Sequence, residues 1–147
     1  MLIALALIVL AGMAYIRLSP NDPARWHVDP ISDGVAGLHN GFLLRPDQGD
    51  AVAPVFSEPV GDLAKAINSV ALAQPRTRLF AGSVATGWMT YITRSRLMGF
   101  PDFTSVKVIA APGGSTFAAF ARARFGSSDL GVNKERLDTW LTALGAH

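Results

Sequence analysis

The chain has 147 residues, with 13 basic and 11 acidic side chains and no cysteine. That length fits one domain plus an appendage. A net charge of +2 with a pI near 9.4 is too mildly basic for a nucleic-acid-binding composition, and the missing cysteine excludes disulfides, thiol nucleophiles and zinc–thiolate sites.

Half of the residues are apolar, and the excess lies at the start. MLIALALIVLAGMAYI, Met1 to Ile16, carries no charged side chain. As a helix it spans roughly 24 Å, slightly short of a ~30 Å hydrocarbon core, and Arg17 is placed to snorkel and complete the span. A cleaved signal peptide competes with this anchor, with Gly12-Met13-Ala14 as a small-x-small site, but no Lys or Arg precedes the apolar run. The expectation is a single transmembrane anchor, or an uncleaved signal, over 1–17. Arg17 and Arg25 follow the run, and the positive-inside rule taken alone places the domain in the cytoplasm.

Residues 18–58 read as an extended irregular segment. SPNDPARWHVDP holds three prolines and cannot be a regular helix. Trp26 and Phe42 interrupt its polarity, so the segment is expected to lie against the domain, or Trp26 to sit at a membrane interface. Residues 59–147 read as an α+β domain. In GDLAKAINSVALAQ, residues Leu63, Ile67, Val70 and Ala71 form one apolar stripe, and Pro75 stops the helix. Four segments with strand character follow: RTRLFAGSV, GWMTYITRSRL, FTSVKVIAAP and STFAAFARARF. Pro112-Gly113-Gly114 marks a tight hairpin between the last two. NKERLDTWLTALGA closes the chain with a stripe of Leu137, Trp140, Leu141 and Leu144. The fold class expected is α+β: a transmembrane helix, then an antiparallel sheet of about four strands with helices packed on one face.

Three R-x-R pairs stand out: Arg76 with Arg78, Arg94 with Arg96, and Arg122 with Arg124. In a strand, i and i+2 project from one face. The three pairs therefore form a positive band on the face away from the helices if register permits, with Lys107 as a further contributor. Such a band suits phospholipid head groups or an acidic partner. The plain alternative is a solvated sheet edge, partly neutralised by Asp102, Asp129, Glu135 and Asp138.

Other chemistry is sparse. His27, His39 and His147 show no metal-ligand spacing, so no metal and no cofactor are expected. There is no G-x-S-x-G elbow and no phosphate-cradling loop before Lys-Ser/Thr. FGSSDLGVNKERL reads as a strand-to-helix junction. Gly126 and Gly131 permit tight bends, Ser128 and Asp129 bond nearby amides, and Asn133 is the expected N-cap, accepting from Glu135 or Arg136. With Arg122, Arg124, Lys134 and Arg136 beside it, the same helix start is able to hold an anion.

FGSSDLGVNKERLDTWL resembles the C-terminal signature of a bacterial and plastid family known only as domain of unknown function 1499. Arg122, Arg124, Gly126, Ser128, Asp129, Leu130, Gly131, Val132, Asn133 and Arg136 fit that signature. TYITRSRLMGFPDF and the opening RLSPNDPARWHVDP are also similar to members, the latter to membrane-anchored alphaproteobacterial ones. The chain departs from the family at Phe100-Pro101-Asp102-Phe103, where a paired acidic motif is common. It also lacks an asparagine–cysteine–valine–serine segment, so an activity resting on either motif does not carry over. The resemblance implies a domain exported or held at an energy-transducing membrane.

The expected localisation is therefore the inner (cytoplasmic) membrane, single-pass, with the domain on the periplasmic side. The leading functional expectation is a non-enzymatic accessory protein docking on a larger integral membrane complex, with membrane lipids as further partners and no nucleic acid. The alternative is an anion- or phospholipid-binding module using Arg76, Arg78, Arg94, Arg96, Arg122, Arg124 and Arg136. A hydrolase assembled around Asp102, Asp129 or His27 stands third, to be revived by a deep pocket joining two of them.

Overall fold

The computed structural model describes residues 1–35 and 40–145; His39 and His147 lie outside the described residues. In chain order the elements are α1 (Leu2–Leu18), α2 (Pro23–Trp26), β1 (Gly41–Arg45), β2 (Ala51–Val52), α3 (Val60–Ala73), β3 (Thr77–Ser83), β4 (Trp88–Arg94), β5 (Pro101–Ala111), β6 (Gly114–Ala123) and α4 (Val132–Ala143). The strands form one sheet in the order β2-β1-β6-β5-β4-β3. All neighbours pair antiparallel except β1 and β2, which are parallel.

The expected fold class is corrected here: the sheet has six strands and is mixed, not four and antiparallel. The two added strands come from the stretch read as irregular. GFLLR shows no alternation because both its faces are covered: Leu43 packs with Val35 and Phe120, while Leu44 joins the main core on the other side. β2 has two residues, too few for any periodicity. The chain doubles back between them, and Gly49 passes so near β1 that a Cβ would lie 2.6 Å from the Leu43 carbonyl oxygen.

The expected anchor is also corrected. No helix among the described residues is long and apolar enough to cross a membrane. α1 has 17 residues, about 25 Å at 1.5 Å per residue, against a ~30 Å core. Arg17 does not extend the span by snorkelling: its Nη2 donates to the Leu97 carbonyl at 3.0 Å, so the helix end is engaged by the domain. The single-pass, inner-membrane placement with a periplasmic domain loses its basis with the span. None of the side chains of α1 is buried.

The main core lies between the sheet and α3 and α4. Alternate strand residues Met89, Tyr91, Val106, Phe117, Ala119 and Ala121 meet Leu63, Ala64, Ile67 and Ala71 of α3 and Leu137 and Trp140 of α4. The rings of Tyr91 and Trp140 pack edge to face at 5.7 Å. α3 forms because its apolar residues recur on one stripe, with Asp62 in the first turn facing the positive helix end.

The opposite face is covered by residues 19–32, a strap that includes the single turn α2. Trp26 stacks on Phe103 at 4.4 Å, and Phe80 meets Phe103 edge-on. His27 stacks on Trp88, whose Nε1 donates to the Val28 carbonyl at 3.1 Å. At the far edge β3 pairs with β4 and carries a bulge between Leu79 and Ala81.

Trp26→Ala should cost about 3 kcal/mol in chemical denaturation, since it removes a buried indole stacked on Phe103. Removing residues 2–16 should leave the midpoint of the same transition unchanged, because α1 buries no side chain; a loss comparable to that of Trp26→Ala would show that α1 is part of the core.

Candidate anion-binding site

Register decides where the arginines point. Arg78 opposes Ile92, Ile92 opposes Phe103, and Phe103 opposes Arg122. Arg94 opposes Pro101, and the Arg94 amide donates to the Arg76 carbonyl. Directly opposed residues share a face, so Arg78, Arg94, Arg122 and Arg124 all belong to the strap side of the sheet. Arg96 lies two residues beyond β4, in the turn to β5.

These arginines divide into two groups. One fastens the strap. A proline-rich strap forms no ladder, and its free carbonyls need donors from elsewhere. Arg122 Nη2 donates to the Trp26 carbonyl at 2.6 Å, and Nη1 donates to the Phe120 carbonyl and to Ser105 Oγ. Arg124 reaches the Ser19 and Pro20 carbonyls, Ser19 Oγ and the Asn21 side chain. Arg45, not a residue the sequence singled out, donates to the carbonyls of Pro30 and Ser32. Arg122 is 4% exposed and has no carboxylate partner among the described residues; burial pushes its pKa down to about 10.

The second group lines a cleft of about 600 Å³. Its walls carry Arg17, Arg76, Arg78, Arg94 and Arg96, with Thr77, Ile92, Ser95 and Gly99. Arg94 Nη1 donates to the Gly99 carbonyl at 2.8 Å, and Arg76 Nε donates to the Arg94 carbonyl at 3.0 Å. Arg78 and Arg96 are exposed. Among the described residues the ion pairs are Lys65–Asp62, Lys107–Asp29, Lys134–Asp138 and Arg136–Asp102, so no carboxylate pairs with any arginine of the cleft. The pKa of Arg94 is held below the ordinary arginine value by burial first and then by repulsion from Arg78, Arg124 and Arg17. A local surplus of like charge with fixed guanidinium donors is suited to an oxyanion.

Arg17 is the cleft residue that sequence reasoning missed. It lies 59 positions before Arg76, and the sequence relates it only to the apolar run that it follows. Arg136 stands apart from the cleft. Its Nη2 pairs with Asp102 at 2.9 Å, and its Nη1 donates to Asn133 Oδ1. Burial raises the pKa of Asp102, and nearby Asp129 adds to this, while Arg136 opposes it. The expected N-cap is corrected too: Asn133 is buried inside α4, and the acceptor at the helix start is Asp129. Its Oδ1 and Oδ2 accept from the amides of Gly131 at 3.1 Å and Asn133 at 3.0 Å. Gly131, at φ +82°, makes the turn that allows this, and Ser128 Oγ accepts from the Leu130 amide.

A smaller pocket of about 390 Å³ does join Asp102 and Asp129, with Gly126 and Ser128 also on its wall. Both carboxylates are engaged, one by Arg136 and one by backbone amides. His27 Nδ1 is 2.8 Å from Thr90 Oγ1, which is 2.9 Å from Ser105 Oγ. That chain resembles a relay, but Thr90 and Ser105 are fully buried under the strap, where no substrate reaches them.

Compared with known proteins, residues 17–144 match the family described as "Protein of unknown function (DUF1499)", and the chain belongs to that family. No curated protein and no solved structure matches it.

Burial raises the pKa of the Asp129 carboxyl, but the amides of Asn133 and Gly131 outweigh it and leave the group below its ordinary value of 3.8. A depressed carboxylate stabilises the fold above 3.8 and loses that contribution as pH falls through its folded value. Asp129→Ala should therefore cost about 1 kcal/mol at neutral pH, the usual cost of a lost helix cap. The gap from wild type should narrow below pH 4 in urea titrations; a gap constant down to pH 2 would remove the carboxylate from the account.

Proposed function

We propose that this domain is a binding module for a phosphate-class oxyanion, held in the cleft of Arg17, Arg76, Arg78, Arg94 and Arg96. The observation that carries this reading is the convergence of five guanidiniums on one cavity with no carboxylate paired to them among the described residues. Arg17 and Arg94 have fixed positions through their carbonyl contacts, while exposed Arg78 and Arg96 are free to close on a ligand. Guanidinium forks match the paired oxygens of a phosphate better than ammonium groups do. Engagement of the second pocket's carboxylates and burial of Thr90 and Ser105 support a binding role over a catalytic one.

An accessory role on a larger complex is supported by a separate observation. α1 presents apolar side chains such as Leu5, Leu7, Ile8 and Leu10 at 59–69% exposure, with none of the described residues covering them. A helix apolar on all sides is normally enclosed.

In titration calorimetry, the double substitution Arg78→Gln with Arg96→Gln should weaken binding of inorganic phosphate at least about tenfold, the size expected for losing charged hydrogen bonds. Raising the salt concentration should weaken the wild type in the same direction. Phosphate binding untouched by both changes would overturn the reading.

A further inference from the structure

Beside the arginine cleft lies the pocket of about 390 Å³, and Ser95 lines both. Its polar walls are already satisfied: Asp102 holds Arg136, Asp129 holds two amides, and Ser95 Oγ accepts from the Phe100 amide at 2.9 Å. What it offers a ligand is apolar, chiefly Phe100, Phe125, Leu130 and Val132.

Leu130 is the unusual member. Its side chain is 91% exposed and its φ is +53°, a left-handed conformation that a leucine adopts only at a cost. The left-handed backbone helps turn the Asp129 carboxylate onto the start of α4, but the exposed side chain itself has no part in that turn. Phe100 at 38% and Val132 at 47% are exposed around the same pocket, and Leu97 at 78% stands in the neighbouring turn. Arg17, which lines the cleft, also ends the exposed apolar helix α1. A positively charged cavity thus opens among uncovered apolar surfaces.

We infer that the ligand is an amphiphile, a lipid with a phosphate head, whose head occupies the arginine cleft and whose acyl chain enters the pocket rimmed by Leu130. This rests on the anion-binding reading and names the class of its ligand. The charge of the cleft selects the head, and Ser95, on the wall of both cavities, sets the two side by side. A free phosphate ester satisfies only the first cavity and leaves Leu130 exposed.

The test compares two ligands with the same phosphate monoester, using the full chain. Glycerol 3-phosphate carries no acyl chain; dihexanoyl phosphatidate, kept below its micelle threshold, carries two. The wild type should bind the phosphatidate at least about tenfold more tightly, since each buried methylene adds to affinity. Leu130→Ser with Val132→Ser, both at exposed positions, should erase that preference and leave glycerol 3-phosphate binding unchanged. Arg78→Gln with Arg96→Gln should weaken both ligands. Equal affinity of the wild type for the two ligands would overturn the amphiphile and leave the oxyanion site standing. A preference that survives Leu130→Ser with Val132→Ser would overturn the pocket. Phosphatidate binding indifferent to the arginine substitutions would overturn the oxyanion site itself.

Discussion

The strap side of the sheet depends on burying the Arg122 guanidinium with no carboxylate partner among the described residues. An unpaired charge in the interior is costly unless every donor finds an acceptor. Here the acceptors are carbonyls and a hydroxyl, from Trp26, Phe120 and Ser105. The Trp26 and Phe120 rings also lie 5.4 and 4.7 Å from the guanidinium carbon. Trp26 supplies its carbonyl only when its ring is seated on Phe103, so the strap and the buried cation hold each other in place. Arg124 and Arg45 repeat the logic toward either end of the strap, and the Lys107–Asp29 pair adds one ionic contact between them.

This arrangement separates arginines that looked alike. Arg122 and Arg124 spend their donors on the strap, and Arg136 spends its own on Asp102 and Asn133. The pairs nearer the β3 edge lie beyond the strap's reach: Arg76 and Arg94 bond carbonyls at that edge, and Arg78 and Arg96 stand exposed. The end of α1 completes their cleft, which ties the apolar N-terminal helix to the most cationic part of the surface.

Much of this was legible in the sequence, within physical limits. The last four strands and both long helices of the domain announce themselves because each buries one face and alternates or repeats accordingly. β1 stayed hidden because it is covered on both faces, and β2 because it is two residues long. The i, i+2 arginines were visible, but their fates were not, since register and strap contacts are long-range. Arg122 meets Trp26 across 96 positions, and nothing local to either residue records that contact. Asn133 was a reasonable cap by type; Asp129 took the acceptor's place because Leu130 and Gly131, both at positive φ, turn its carboxylate back onto the helix start. The apolar opening run was plain, but its length and the docking of Arg17 deny it a span.

The bulge between Leu79 and Ala81 has a consequence for how copies of this chain meet. An open strand edge is a template on which another chain can pair, and a sheet without closure has two such edges. One edge here is β2, only two residues long. The other is β3, where the bulge breaks the spacing of free amides and carbonyls. Arg76 and Arg78 at the start of β3 add like-charge repulsion against an identical strand. Among the described residues neither rim of the sheet presents a long regular ladder, which disfavours edge-to-edge pairing of copies.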